Sequence, residues 1–181
     1  MGKIEVEVKA KANLDRARRA LSTLGANLVK IEVQEDIYFN HPCRDLLKLD
    51  EALRLRLKEE GAELTYKGPR QSGNEKARIE VTVKVSDAVE MLSLLANLGF
   101  KEALKVRKLR ETYMLNDIEV ALDKVEGLGE FVEIEVGEHD LSKAFNILEK
   151  LGAGEIVKET YAELLLKGER LDSGGGCSPT A

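Results

Sequence analysis

Residues 3–11, Lys-Ile-Glu-Val-Glu-Val-Lys-Ala-Lys, alternate without a break. Ile4, Val6, Val8 and Ala10 fall on one side, and Glu5, Glu7, Lys9 and Lys11 on the other. A period of two predicts a half-buried strand. The pattern returns along the chain. Residues 53–58 read Leu-Arg-Leu-Arg-Leu-Lys, and Ala77–Val85 sets Arg78, Glu80, Thr82 and Lys84 in phase. Val106–Met114 carries Lys108, Arg110 and Thr112 together. Ile118–Leu122 alternates, with Glu119, Ala121 and Asp123 in phase, and Phe131–Val136 aligns Glu133 with Glu135. About eight such strands, each with one apolar and one charged side, can only build a sheet whose two faces differ sharply. Short turns between them, at Gly68-Pro69, 71–74 and Asn116-Asp117, predict antiparallel pairing.

Three helical segments supply a cover for the apolar face. Asn13 is placed to cap Leu14–Leu24, Ser86 or Asp87 to cap Ala88–Leu98, and Asp140 to cap Leu141–Leu151. Each ends on a Leu-Gly pair. Each is followed by a strand-like segment that runs to a tyrosine: Tyr38, Tyr113 and Tyr161. The spacing of these units is unequal, which excludes a solenoid.

The charged faces admit two readings. In one, they face solvent on an open sheet. In the other, the sheet closes into an eight-stranded antiparallel barrel, an α+β fold with flanking helices outside and the charged faces lining a tunnel. The signs are segregated by strand. Arg54, Arg56, Lys67, Lys108 and Arg110 form a basic group; Glu5, Glu7, Glu119, Asp123, Glu133 and Glu135 form an acidic one. Bases clamp phosphates through charge-assisted hydrogen bonds. Carboxylates hold Mg²⁺, which shares its ligands with substrate phosphates. Segregation of this kind suits a polyanion and a divalent cation held side by side.

A net charge of −5, with 33 acids against 28 bases, argues against sequence-independent nucleic-acid binding. No apolar run reaches membrane-spanning length, and the first residues carry no apolar signal segment, so no membrane partner and a cytoplasmic location are expected. Cys43 and Cys177 fit no metal spacing. His41 and His139, the only histidines, read as loop or surface residues. A single domain over 1–171, followed by a disordered Gly/Ser-rich tail at 172–181, completes the expected organisation.

The segment Glu5-Val6-Glu7-Val8-Lys9 resembles the ExExK signature of the CYTH superfamily, the triphosphate tunnel metalloenzymes. Residues 36–39 (Asp-Ile-Tyr-Phe), 52–56 (Ala-Leu-Arg-Leu-Arg), 64–69 (Leu-Thr-Tyr-Lys-Gly-Pro) and 127–135 (Gly-Leu-Gly-Glu-Phe-Val-Glu-Ile-Glu) follow in the family's order. Residues 38–42 and 50–54 look most like the branch named for class IV adenylyl cyclases. The resemblance implies that Glu5, Glu7, Glu133 and Glu135 hold Mg²⁺ or Mn²⁺. It implies that Lys9, Arg54, Arg56, Lys67, Lys108 and Arg110 bind a triphosphate, and that Asp123 orients the bases or the metal. A Tyr38–Lys67 dyad matches the general base suggested for triphosphatases. Lys11, Lys84 and Glu119 share the polar phase but belong to no motif, and are left as surface or supporting residues. The implied reaction converts ATP to cyclic AMP and pyrophosphate. Hydrolysis of an inorganic, thiamine or nucleoside triphosphate is the alternative, and non-catalytic binding of a polyphosphate or nucleotide a further one. The cyclase branch also implies a homodimer.

Overall fold

The computed structural model describes residues 5–59, 61–69, 79–137 and 140–172, without the side chains of Glu5, Val6 and residues 169–172. The expected loop at 71–74, Arg78, His139 and residues 173–181 of the expected tail lie outside the described residues. In chain order the elements are β1 (Glu5–Lys11), α1 (Leu14–Thr23), β2 (Asn27–Asn40), β3 (Ala52–Leu57), β4 (Ala62–Lys67) and β5 (Glu80–Val85). Then come α2 (Ala88–Asn97), β6 (Lys101–Leu115), β7 (Ile118–Val125), β8 (Gly129–Gly137), α3 (Leu141–Leu151), β9 (Ile156–Val157) and α4 (Tyr161–Asp172).

Local chemistry starts and stops the helices. The Asn13 side chain accepts from the Arg16 N–H at 2.9 Å, and Asp87 accepts from the N–H groups of Val89 and Glu90. Asp140 makes no side-chain cap bond, contrary to expectation, although Gly152 ends α3 in the left-handed conformation at φ 66°. The strand-like segment expected to end at Tyr161 is also corrected, because α4 begins there. Thr160 and Glu163 form a reciprocal capping box: the Glu163 N–H donates to Thr160 Oγ1 at 3.2 Å and the Thr160 N–H to Glu163 Oε2 at 2.7 Å.

The strands form one antiparallel sheet in the order β5-β4-β3-β2-β6-β7-β8-β1-β9. Its apolar face carries two cores. Val8, Val120, Leu122, Val132 and Ile134 pack under α1 and α3, with Leu21 and Leu151 pointing down onto them. Ile37, Phe39, Leu55 and Val85 pack under α2 through Leu95. No described helix is long and apolar enough to cross a membrane.

The opposite face is charged and buried. Register puts Lys9 opposite Glu133, Arg110 opposite Asp123, and Asp36 opposite Arg56. Lys9, Asp36, Lys108, Asp123 and Glu133 are each less than 10% exposed. A flat sheet would leave these groups wet, so the sheet curls around its own charged side, and the solvent-facing reading falls. The expected closed eight-stranded barrel does not form either. Among the described residues there are nine strands, and the sheet ends at β5 and β9. β9 takes part of the outer edge of β1, pairing Lys9 with Val157 and Ala10 with Ile156, and β5 does not pair with β1.

Replacing Leu21, fully buried where α1 meets the first core, by alanine is expected to cost ~2–5 kcal/mol of unfolding free energy, read from urea denaturation.

Candidate active site

The centre of the charged face is built on Asp123, which is fully buried on β7. Arg110, its cross-strand neighbour on β6, donates through Nε to Oδ1 at 2.7 Å and through its second nitrogen to Oδ2. Lys108 Nζ donates to Oδ2 at 3.0 Å, and the Tyr161 hydroxyl donates to the same oxygen at 2.9 Å. Arg110 also reaches Glu133 on β8. Lys9 lies 3.2 Å from Glu133 and 3.1 Å from Glu7, and donates to the Glu159 carbonyl at 3.3 Å.

A second knot lies on β2 and β3. Arg56 grips Asp36 in a two-pronged pair at 2.6 and 2.7 Å, and Arg54 stands 3.7 Å from the same carboxylate. Arg54 Nε is buried without a hydrogen-bond partner. An unmet buried donor costs free energy, which an incoming oxygen acceptor would recover. Burial alone would raise the Asp36 carboxyl, but the Arg56 hydrogen bonds and charge outweigh it and hold it below the ordinary range. Glu133 follows the same pattern: burial opposes ionisation, yet the charges of Arg110, Lys108 and Lys9 keep it well below the carboxylate range. Burial beside the cations Arg110 and Arg56 lowers Lys108, against the pull of Glu133 and Asp123. Lys9 is raised: burial opposes its charge, but Glu7 and Glu133 more than compensate.

On the acidic side, register sets Glu119 opposite Glu135, and Glu135 opposite Glu7. Like charges directly across strands repel, and a divalent cation would relieve that. Glu7, Glu119, Glu133 and Glu135 line one cavity of about 30 Å³ with Arg110 and Ala121. An all-carboxylate donor set suits a hard cation such as Mg²⁺ or Mn²⁺. As the side chains stand, no three such ligands converge among the described residues. The reason is visible in the pairing, since Glu7 and Glu133 are engaged by Lys9 and Arg110. The donor chemistry fits a divalent metal, and Glu7 and Glu133 would turn to it only with those two cations drawn elsewhere.

The structure thus brings Lys9, Lys108, Arg110, Asp123 and Glu133 into one network, with Glu7 at its edge. Arg54 and Arg56 join it through Asp36, which feels the Lys108 charge. The Glu5 side chain lies outside the described residues. Tyr38 and Lys67 each meet other partners. Tyr38 is half-buried beside Arg54 and Asp36, and loss of solvent raises its pKa, whereas Lys67 pairs with Glu80 at 2.9 Å near the β5 edge. Three residues were given no catalytic or binding role by the sequence. Asp36 sits inside a segment singled out for other reasons. Glu119 carries the correct polar phase. Tyr161 was signalled by the Thr-x-x-Glu box around it.

The CYTH domain model matches residues 3–163. The chain belongs to the CYTH domain family. Among the family's curated members, a Methanocaldococcus jannaschii protein named "Putative adenylate cyclase" is 39% identical over 171 residues, spanning 89% of this chain and 98% of its own. The adenylate cyclase CyaB of Aeromonas hydrophila is 32% identical over 139 residues, 75% of this chain and 70% of that one. Among solved structures, the PH1819 protein of Pyrococcus horikoshii superposes with a TM-score of 0.80 at 40% identity, over 91% of this chain and 99% of that one.

Asp36 carries a pH dependence. Its folded pKa is depressed, so its contribution is complete above the unfolded value near ~3.9 and is lost as pH falls through the folded one. Asp36→Asn is expected to cost about 3 kcal/mol at pH 7 by leaving Arg56 buried and uncompensated. Urea unfolding of both proteins at pH 7 and pH 3 should show that gap narrowing at the lower pH.

Proposed function

We propose that this CYTH protein is a metal-dependent enzyme that acts on a triphosphate held on its buried charged face. We further propose that its reaction is that of a class IV adenylyl cyclase. The carrying observation is five cations, Lys9 and Lys108 buried and Arg54, Arg56 and Arg110 half-buried, beside a row of carboxylates, with one guanidinium N–H left unmet. The names borne by the relatives favour the cyclase.

In this reading Lys9, Arg54, Arg56, Lys108 and Arg110 bind phosphate oxygens, with Lys67 at the rim. Asp123 aims Lys108 and Arg110. Glu5, Glu7, Glu133 and Glu135 hold the divalent cation, with Glu119 beside them. A bound Mg²⁺ or Mn²⁺ supplies charge neutralisation on the phosphates and polarises the reacting phosphorus. The side chains make the two binding events interdependent. Phosphate oxygens compete with Glu7 and Glu133 for Lys9 and Arg110, and each contact won releases a carboxylate. Phosphoryl chemistry depends mainly on such positioning and charge. The ribose 3′-hydroxyl of ATP then attacks the α-phosphorus, forming the cyclic ester as the bond to pyrophosphate breaks. No base is assigned to the 3′-hydroxyl proton; Tyr38 and Lys67 are the proposed base for the attacking water in the triphosphatase alternative. The homodimer is carried forward on the family resemblance alone.

Incubation with ATP, thiamine triphosphate or tripolyphosphate, each with Mg²⁺ or Mn²⁺, tests this. Cyclic AMP and pyrophosphate are expected from ATP. Orthophosphate release instead would replace the cyclase with a triphosphatase, and binding without turnover would leave a carrier. Glu7→Gln and Glu135→Gln should abolish turnover while tripolyphosphate still binds in calorimetry. Arg56→Ala should weaken that binding by about 10- to 100-fold, the worth of ~1.5–3 kcal/mol for one charge-assisted contact. Equal loss of binding in both groups would refute the separate roles.

A further inference from the structure

Lys9 on β1 and Lys108 on β6 belong to strands separated by β8 and β7. On a flat sheet that is about 14 Å. Here one aromatic ring touches both ammonium groups. Lys9 Nζ lies 4.4 Å from the centre of the Tyr161 ring, and Lys108 Nζ lies 5.0 Å from it. The ring's hydroxyl donates to Asp123, the acceptor shared by Lys108 and Arg110. The residue just before the capping threonine, Glu159, offers its carbonyl to Lys9.

The ring is held from behind. Tyr161 and Ala162 are buried against Val106, Val125 and Phe131, and the Phe131 ring meets Tyr161 edge-on at 5.1 Å. The Thr160–Glu163 capping box fixes the first turn of α4, and hence the direction in which Tyr161 enters the charged face. An aromatic face attracts cations most strongly where water is excluded. The two ammonium groups share one ring while each also pairs with carboxylates, so the ring helps fix where they sit.

We propose that Tyr161 is a positioning residue: its ring sets the Lys9 and Lys108 ammonium groups for triphosphate oxygens, and its hydroxyl orients Asp123. The proposal rests on the triphosphate reading of the site. A side chain that merely filled the core would need neither the hydroxyl bond nor the two cation contacts.

The test compares Tyr161→Phe, Tyr161→Leu and Phe131→Leu in the full chain. The first readout is the lysine Hε/Cε NMR spectrum, assigned through Lys9→Arg and Lys108→Arg. Wild type and Tyr161→Phe are expected to show two lysine signals shifted upfield by the ring current, and Tyr161→Leu to lose both shifts. The second readout is the dissociation constant of tripolyphosphate without metal. Tyr161→Phe should stay within about threefold of wild type, because the ring remains. Tyr161→Leu should bind about tenfold more weakly. Phe131→Leu should lower the melting temperature yet leave the affinity unchanged, which separates positioning from packing. The proposal is overturned if the wild type shows no shifted lysine signals. It is equally overturned if Tyr161→Leu folds and binds as wild type does, or if Phe131→Leu weakens binding as much as Tyr161→Leu. Should Tyr161→Leu fail to fold, the spectra of wild type and Tyr161→Phe decide. A wild-type chain that binds no tripolyphosphate refutes the triphosphate reading itself, and the lysine spectra then decide alone whether the ring holds the two cations.

Discussion

Asp123, without solvent contact, is met by Lys108, Arg110 and the Tyr161 hydroxyl. An isolated charge in such a place is prohibitively costly, and the cost falls only when opposite charges and hydrogen bonds surround it. That requirement governs the whole charged face. Asp36 has Arg56, and Glu133 has Lys9 and Arg110. Each pair joins residues on different strands, so the sheet can bury its charged side only in one register. A one-residue slip would send every partner to the opposite face.

The same pairing explains why a site of this kind holds together without a ligand and still favours one. The cations satisfy the carboxylates when nothing else is present. In the proposed reaction a phosphate anion would offer Lys9 and Arg110 a second set of acceptors, and the carboxylates would then be free to hold a metal. Buried ion pairs of this sort contribute modestly to net stability. Their worth lies in keeping cations and anions in fixed places where binding exchanges one partner for another. The unmet Arg54 Nε is the point at which the pairing is incomplete.

Much of this was legible in the residues. Alternation in β1, β3, β6 and β8 placed Lys9, Arg54, Arg56, Lys108, Arg110 and Glu133 on a single polar phase, and Asn13, Asp87 and Gly152 marked helix ends correctly. The ExExK, Leu-Arg-Leu-Arg and Gly-x-Phe-x-Glu-x-Glu segments pointed to the CYTH family before any coordinates. The Asp36–Arg56 pair was less visible, because the register of β2 on β3 depends on the connection at 41–51, which carries no strand alternation.

The sequence by itself determined which residues share a face, since side-chain direction follows from the period of two along each strand. It also determined the signs of charge that each strand brings. Only the tertiary structure decided whether that face is wet or buried, and where the sheet stops. Both outcomes depend on long-range partners: β9 occupies part of the outer edge of β1, and α4 carries Tyr161 back over the charged face. The meeting of Lys9 with Lys108 at one ring was settled the same way. Local periodicity contains no information about which distant strand or helix arrives at a given edge; the packing of apolar surfaces and the pairing of buried charges select it.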